Sequence, residues 1–96
     1  MSTHTERIKI QNGNSYPLTI HLEPWGEEIA IAAGVTYELV SEGPPGDCLL
    51  LSIEERRTVV WGRSGSVISV FREGMLLRIC DVPVPTTATA KTYGPR

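Results

Sequence analysis

His21 and Glu23 are residues whose types and spacing bear on chemistry. Two apart on an extended segment, an imidazole and a carboxylate project from one face, where the acid can orient the ring or share a metal ion with it. Trp25, Glu27 and Glu28 follow directly. His21, Glu23, Trp25, Glu27 and Glu28 therefore form the candidate binding set: carboxylates in a number that suits acid and base work, beside a ring able to stack on a sugar, a base or a partner's proline. The same residues have a plainer reading. Polar side chains two apart on a strand mark a wet face, and one His with one Glu falls short of the three protein ligands of a catalytic zinc site. Nothing places a reacting group between the glutamates, so no catalytic residue is assigned.

Cys48, Cys80, His21 and Met75 supply the ligand types of a blue-copper centre. The spacing opposes that use, because no His follows His21 and such a centre draws its Cys, His and Met from one late loop. Met75 and both cysteines read as core fillers. The chain has no Gly-rich phosphate loop, nucleophile elbow or paired-Cys zinc spacing, and no cofactor or metal is expected.

Charge and hydropathy narrow the partners. Residues 1–81 carry seven basic and eleven acidic side chains, a balance of −4. Such a body does not attract a polyphosphate chain, so nucleic acid is disfavoured. The longest apolar runs, such as Cys48 to Leu51, fall far short of the roughly 20 residues that span a bilayer, so no membrane partner is expected. MSTHTERIKI has no signal-like apolar run, which points to the cytoplasm and to two reduced, buried thiols.

The elements that must position these residues are strands. From Pro17 to Val40 the chain reads as three strands joined by two tight connections. Leu18, Ile20 and Leu22 alternate with Thr19, His21 and Glu23; after Pro24-Trp25-Gly26 the alternation resumes at Ile29 and Ile31; after Ala33-Gly34 it continues at Val35, Tyr37 and Leu39. Pro-Trp-Gly suits a turn that folds Trp25 back over one end of the sheet, packed with one ring edge exposed. Before this stretch, residues 1–5 read as a mobile end, Arg7 to Gln11 as a strand and Asn12-Gly13-Asn14 as a turn. After it, Gly43-Pro44-Pro45-Gly46 reads as a loop crossing between sheets. Cys48 to Ile53, nearly all apolar, reads as a central strand covered on both faces. Glu54 to Arg57 is a charged turn, Trp61 continues the period of Val59 and is expected to be buried, and Thr58–Trp61, Ser66–Phe71 and Met75–Cys80 read as a meander.

The expected fold is a single all-β domain over residues 6–82, an antiparallel sandwich or small bent barrel of about eight strands. Its expected core includes Ile20, Leu22, Ile29, Ile31, Leu39, Leu49, Leu51, Ile53, Val60, Val70 and Leu77. Residues 83–96, rich in Pro and Thr, read as a disordered tail.

LEPWGEE, then AGVTYELV, a Gly/Pro loop, VVWGRSGS and VFREG, together resemble small bacterial all-β proteins of uncharacterised function that share a Leu-Glu-Pro-Trp-Gly turn. The resemblance spans roughly residues 8–77. It implies a bacterial source and an all-β fold, and brings no activity or ligand with it. Taken together, the sequence points to a noncatalytic β domain that binds a protein or small ligand, its oligomeric state open. The alternative is a small enzyme or metalloprotein using His21 with Glu23 or a cysteine.

Overall fold

Alternating apolar side chains, punctuated by turn residues, fold into strands throughout. The computed structural model describes residues 3–55 and 57–85. Eight strands form among them: β1 (His4–Gln11), β2 (Leu18–Glu23), β3 (Glu27–Ile31), β4 (Thr36–Gly43), β5 (Leu50–Glu54), β6 (Arg57–Trp61), β7 (Val67–Arg72) and β8 (Met75–Cys80). They make two four-stranded sheets in the orders β1-β4-β7-β8 and β3-β2-β6-β5, an all-β sandwich. Every pair is antiparallel except β2 with β6, which run parallel. No helix in the described residues is long and apolar enough to cross a membrane.

The core lies between the inner faces. Ile20, Leu22, Ile29, Ile31 and Val60 of one sheet meet Tyr37, Leu39, Ile68, Val70 and Cys80 of the other. Leu49 and Leu51 pack against this cluster half-buried. Two expected core residues are not buried. Ile53 is 83% exposed and Leu77 44%. Ile53 does share the inner face with Leu51, as alternation requires, but β5 is an edge strand and leaves it uncovered. That edge position also corrects the reading of Cys48 to Ile53 as a central strand. Leu77 falls at a β-bulge: Arg78 opposes Val70 and Leu76 opposes Phe71, so Leu77 is the extra residue between them and loses the inward direction.

Three further expectations change. The last three strands are not a meander, because β6 and β7 lie in different sheets and the Gly62–Ser66 segment crosses between them. The first strand begins at His4, held by its pairing with Gly43, so the polar start of the chain is ordered from there. The domain extends past Val82, since Val84 is buried, donates its N–H to the Ser66 carbonyl (3.0 Å) and accepts from the Gly65 N–H (2.8 Å). The expected tail beyond Pro85 lies outside the described residues. The Gly43–Gly46 loop crosses between sheets as expected, from β4 to β5.

One side chain fastens the crossing segment to β1, β4 and the β4–β5 loop. Arg63, 1% exposed, was legible only as a turn residue. Its Nη1 donates to the Pro44 carbonyl (2.8 Å) and its Nη2 to the His4 carbonyl (2.9 Å). Its Nε lies 3.2 Å from Ser41 Oγ and 3.1 Å from Glu6 Oε1. Glu6 Oε1 also accepts the Leu49 N–H (3.2 Å). A planar fork that serves several acceptors at once is the geometry a guanidinium offers and an ammonium does not.

Candidate functional site

The outer face of the β3-β2-β6-β5 sheet carries the candidates His21, Glu23 and Glu28, whereas Glu27 falls in the inner-face row opposite Leu22. Pairing across the strands sets three rows: Ala30, Thr19, Arg57 and Glu54; Glu28, His21, Val59 and Ser52; then Glu23, Trp61 and Leu50. His21 therefore meets Glu28, its cross-strand neighbour, with Nδ1 3.2 Å from Oε1. The expected partner was Glu23, two along the same strand. Cross-strand partners stand closer than residues two apart on one strand, and the β2–β3 register decided the pair. Arg57 donates through Nε to Glu54 Oε1 (2.7 Å), and this hydrogen bond holds the Glu54 carboxyl below its ordinary range.

His21, Glu23, Glu54, Arg57, Val59 and Trp61 surround a cleft of about 80 Å³. That holds roughly two or three water molecules, well short of a small-molecule site of several hundred Å³. Trp61 is buried, as its period with Val59 predicts. Among the described residues, no three His, Cys, Asp or Glu side chains are grouped to hold a metal ion.

Trp25 has a structural placement. Glu23-Pro24-Trp25-Gly26 closes the β2–β3 hairpin, with Glu23–Pro24 cis, Gly26 at φ +75° and its N–H donating to the Leu22 carbonyl (2.9 Å). Positive φ is the conformation glycine adopts without a Cβ penalty. The ring packs half-buried against the core cluster and lies over Gly62, where an added Cβ would stand 2.8 Å from Cζ3 and 2.9 Å from Val84 Cγ2. Its Nε1 donates to the Val82 carbonyl (2.6 Å). Packing with partial exposure is the arrangement the turn's sequence predicts. Glu27 is engaged too, accepting a hydrogen bond from Arg78 of β8 across the sandwich edge.

The thiols part company. Cys80 is buried, and burial, with the Glu27 carboxylate adding to it, pushes its pKa from the ordinary 9.0 to about 11. It stays protonated and inert at neutral pH. Cys48 is exposed in the β4–β5 loop, and Met75 is 69% exposed, so neither fills the core as expected. The Gly/Pro loop holds Cys48 outside the ladder, and Met75 opens the edge strand next to a turn.

The surface that sequence reasoning missed is β8. It is the outer strand of its sheet, and every residue from Met75 to Ile79 is exposed. Rows on the outer face run Arg7, Val40, Ser69 and Ile79, then Lys9, Glu38, Phe71 and Leu76. The β1 end of these rows is charged and the β8 end is apolar. Leu76, Leu77 and Ile79 are each about half exposed, with Met75 and Val82 more so. MLLRIC does carry a signal. It lacks the polar alternation of a one-sided strand, with four apolar side chains among its first five residues.

No family model, curated protein or solved structure matches the chain.

Proposed function

We propose that this chain is a noncatalytic β-sandwich domain that binds protein, and that its binding surface is the apolar strip of β8. The observation that carries the reading is the contrast between edges. Edge strands are usually guarded by charge. β1 carries Glu6, Arg7 and Lys9, β3 carries Glu27 and Glu28, and β5 exposes only Leu50 and Ile53 beside Ser52 and an ion-paired Glu54, whereas β8 presents Met75, Leu76, Leu77 and Ile79 with a single charge, Arg78. That charge is already taken by Glu27. A contiguous exposed apolar strip beside a polar face is the usual mark of a protein contact.

The acidic turn is the weaker choice within this reading. Trp25 is held by Val82 and Gly62, Glu27 by Arg78, and Glu28 by His21, so the polar groups of the turn are already engaged within the chain. The enzyme or metalloprotein alternative is weaker: His21 and Glu23 line one cleft, but its volume is about 80 Å³, no cysteine lines it, and among the described residues no three possible ligands are grouped for a metal. A bacterial, cytoplasmic setting is part of the proposal. It rests on the LEPWGEE resemblance and on two free thiols, Cys48 and Cys80.

Capture from an extract of the source cells tests the site. The immobilised full chain should retain a protein that the double substitution Leu77→Lys/Ile79→Lys releases and that Glu23→Gln/Glu28→Gln leaves bound. Retention by the β8 variant with loss in the glutamate variant would move the site to the acidic turn.

A further inference from the structure

We infer that the occupant of the β8 strip is a second copy of this chain, packed side chain against side chain about a two-fold axis. The inference rests on the proposal that β8 is the binding surface and goes on to name what covers it. Three features of the strip select the partner.

The first is the bulge at Leu77. A bulge bends the strand and interrupts the regular row of edge donors and acceptors, which disfavours an incoming extended peptide adding as a fifth strand. Contact then falls to the side chains. The second is charge. Arg78 is neutralised within its own chain by Glu27, so the one charge between Met75 and Ile79 is already paired, and Arg72 and Asp81 lie at the two ends of the strip, where they can stay in water. A partner that docked through its own charges would find no complement along Met75 to Ile79. The third is area. Leu76 and Ile79 on the outer face, Leu77 at the bulge, Met75 at the turn and Val82 just past the strand, at exposures of 44–69%, offer on the order of 500 Å² per copy only when the contact wraps the whole edge. An isologous contact counts that patch twice and reaches roughly 1,000 Å², the lower bound of a specific interface. The result is a weak dimer governed by concentration.

Sedimentation velocity and light scattering on the full chain test this from about 5 μM to about 500 μM. Wild type should rise from the 10.5 kDa of one chain towards twice that mass. Leu77→Lys/Ile79→Lys should stay at one chain throughout with an unchanged far-UV spectrum, and Ile79→Lys alone should weaken association at least tenfold, which keeps the test valid if the double variant folds poorly. A wild-type chain that stays monomeric to the highest concentration overturns the inference, as does a dimer that survives both variants. The two proposals fail separately. A monomeric wild type that still captures a β8-dependent protein loses only the second copy as occupant, whereas a monomer with no β8-dependent capture loses the surface as well.

Discussion

Replacing Arg63 with Met should destabilise the domain by about 3–5 kcal/mol, the range for breaking a buried ion pair by removing one partner. Met retains much of the aliphatic volume, so the loss isolates the guanidinium. Without it the His4 and Pro44 carbonyls and Ser41 Oγ each lose a donor, and the Glu6 carboxylate is left against Leu49 with no counter-charge. A domain of this size has only about 5–15 kcal/mol in total, so the variant should sit close to unfolding at 37 °C. Urea titration measures the change. Adding Glu6→Gln should recover part of it, because the second substitution removes the uncompensated charge. Arg63→Lys should recover little, since one ammonium cannot reach acceptors on β1, β4 and the Gly43–Gly46 loop together. A midpoint within error of wild type for Arg63→Met would mean that the clamp contributes nothing.

Trp25→Ala should lower stability by about 3 kcal/mol, the low end for truncating a large packed aromatic, because the ring is half-buried. The substitution empties the space over Gly62 and leaves the Val82 carbonyl without its indole donor. The geometry adds a sharper test. Gly62→Ala should be strongly destabilising in the wild-type chain, where the new methyl meets the ring, and much less so in the Trp25→Ala background, where the ring is gone. Thermal melts of the two single variants and the double variant read this coupling directly. Additive losses would show that ring and glycine do not touch. An unchanged midpoint for Trp25→Ala would return the acidic turn to first place as a ligand site.

The strands were legible because period-two alternation records which face each residue occupies. Ile20, Leu22, Ile29, Ile31, Leu39, Val60 and Val70 are buried as alternation requires. What it does not record is a strand's neighbours. Ile53 points to the correct face and is still exposed, because nothing local distinguishes an edge strand from a central one. The parallel β2–β6 pair joins segments 38 residues apart at Thr19 and Arg57, and no turn chemistry announces it. Leu77 was assigned inward because a bulge, which shifts alternation by one, leaves no mark in MLLRIC. Arg63 stood in a Gly-Arg-Ser-Gly segment that reads as a polar turn, and only the crossing between sheets buries it. The site behaved in the same way. His21 and Glu23 lie on the wet face that alternation assigns them, but the partner of His21 comes from the strand register, which the spacing of His21 and Glu23 does not reveal.

The central claim is that the apolar side chains of β8 serve contact with a partner and that the fold does not need them. Equilibrium unfolding of Leu77→Lys/Ile79→Lys in urea, at a concentration of about 5 μM where association is negligible, tests this most directly. The account predicts a loss of about 1 kcal/mol or less, because both side chains are already about half exposed and lysine is tolerated on an edge strand. A loss of about 3 kcal/mol or more, the size expected for emptying a buried Leu or Ile site, would show that the strip belongs to the core and would contradict the account.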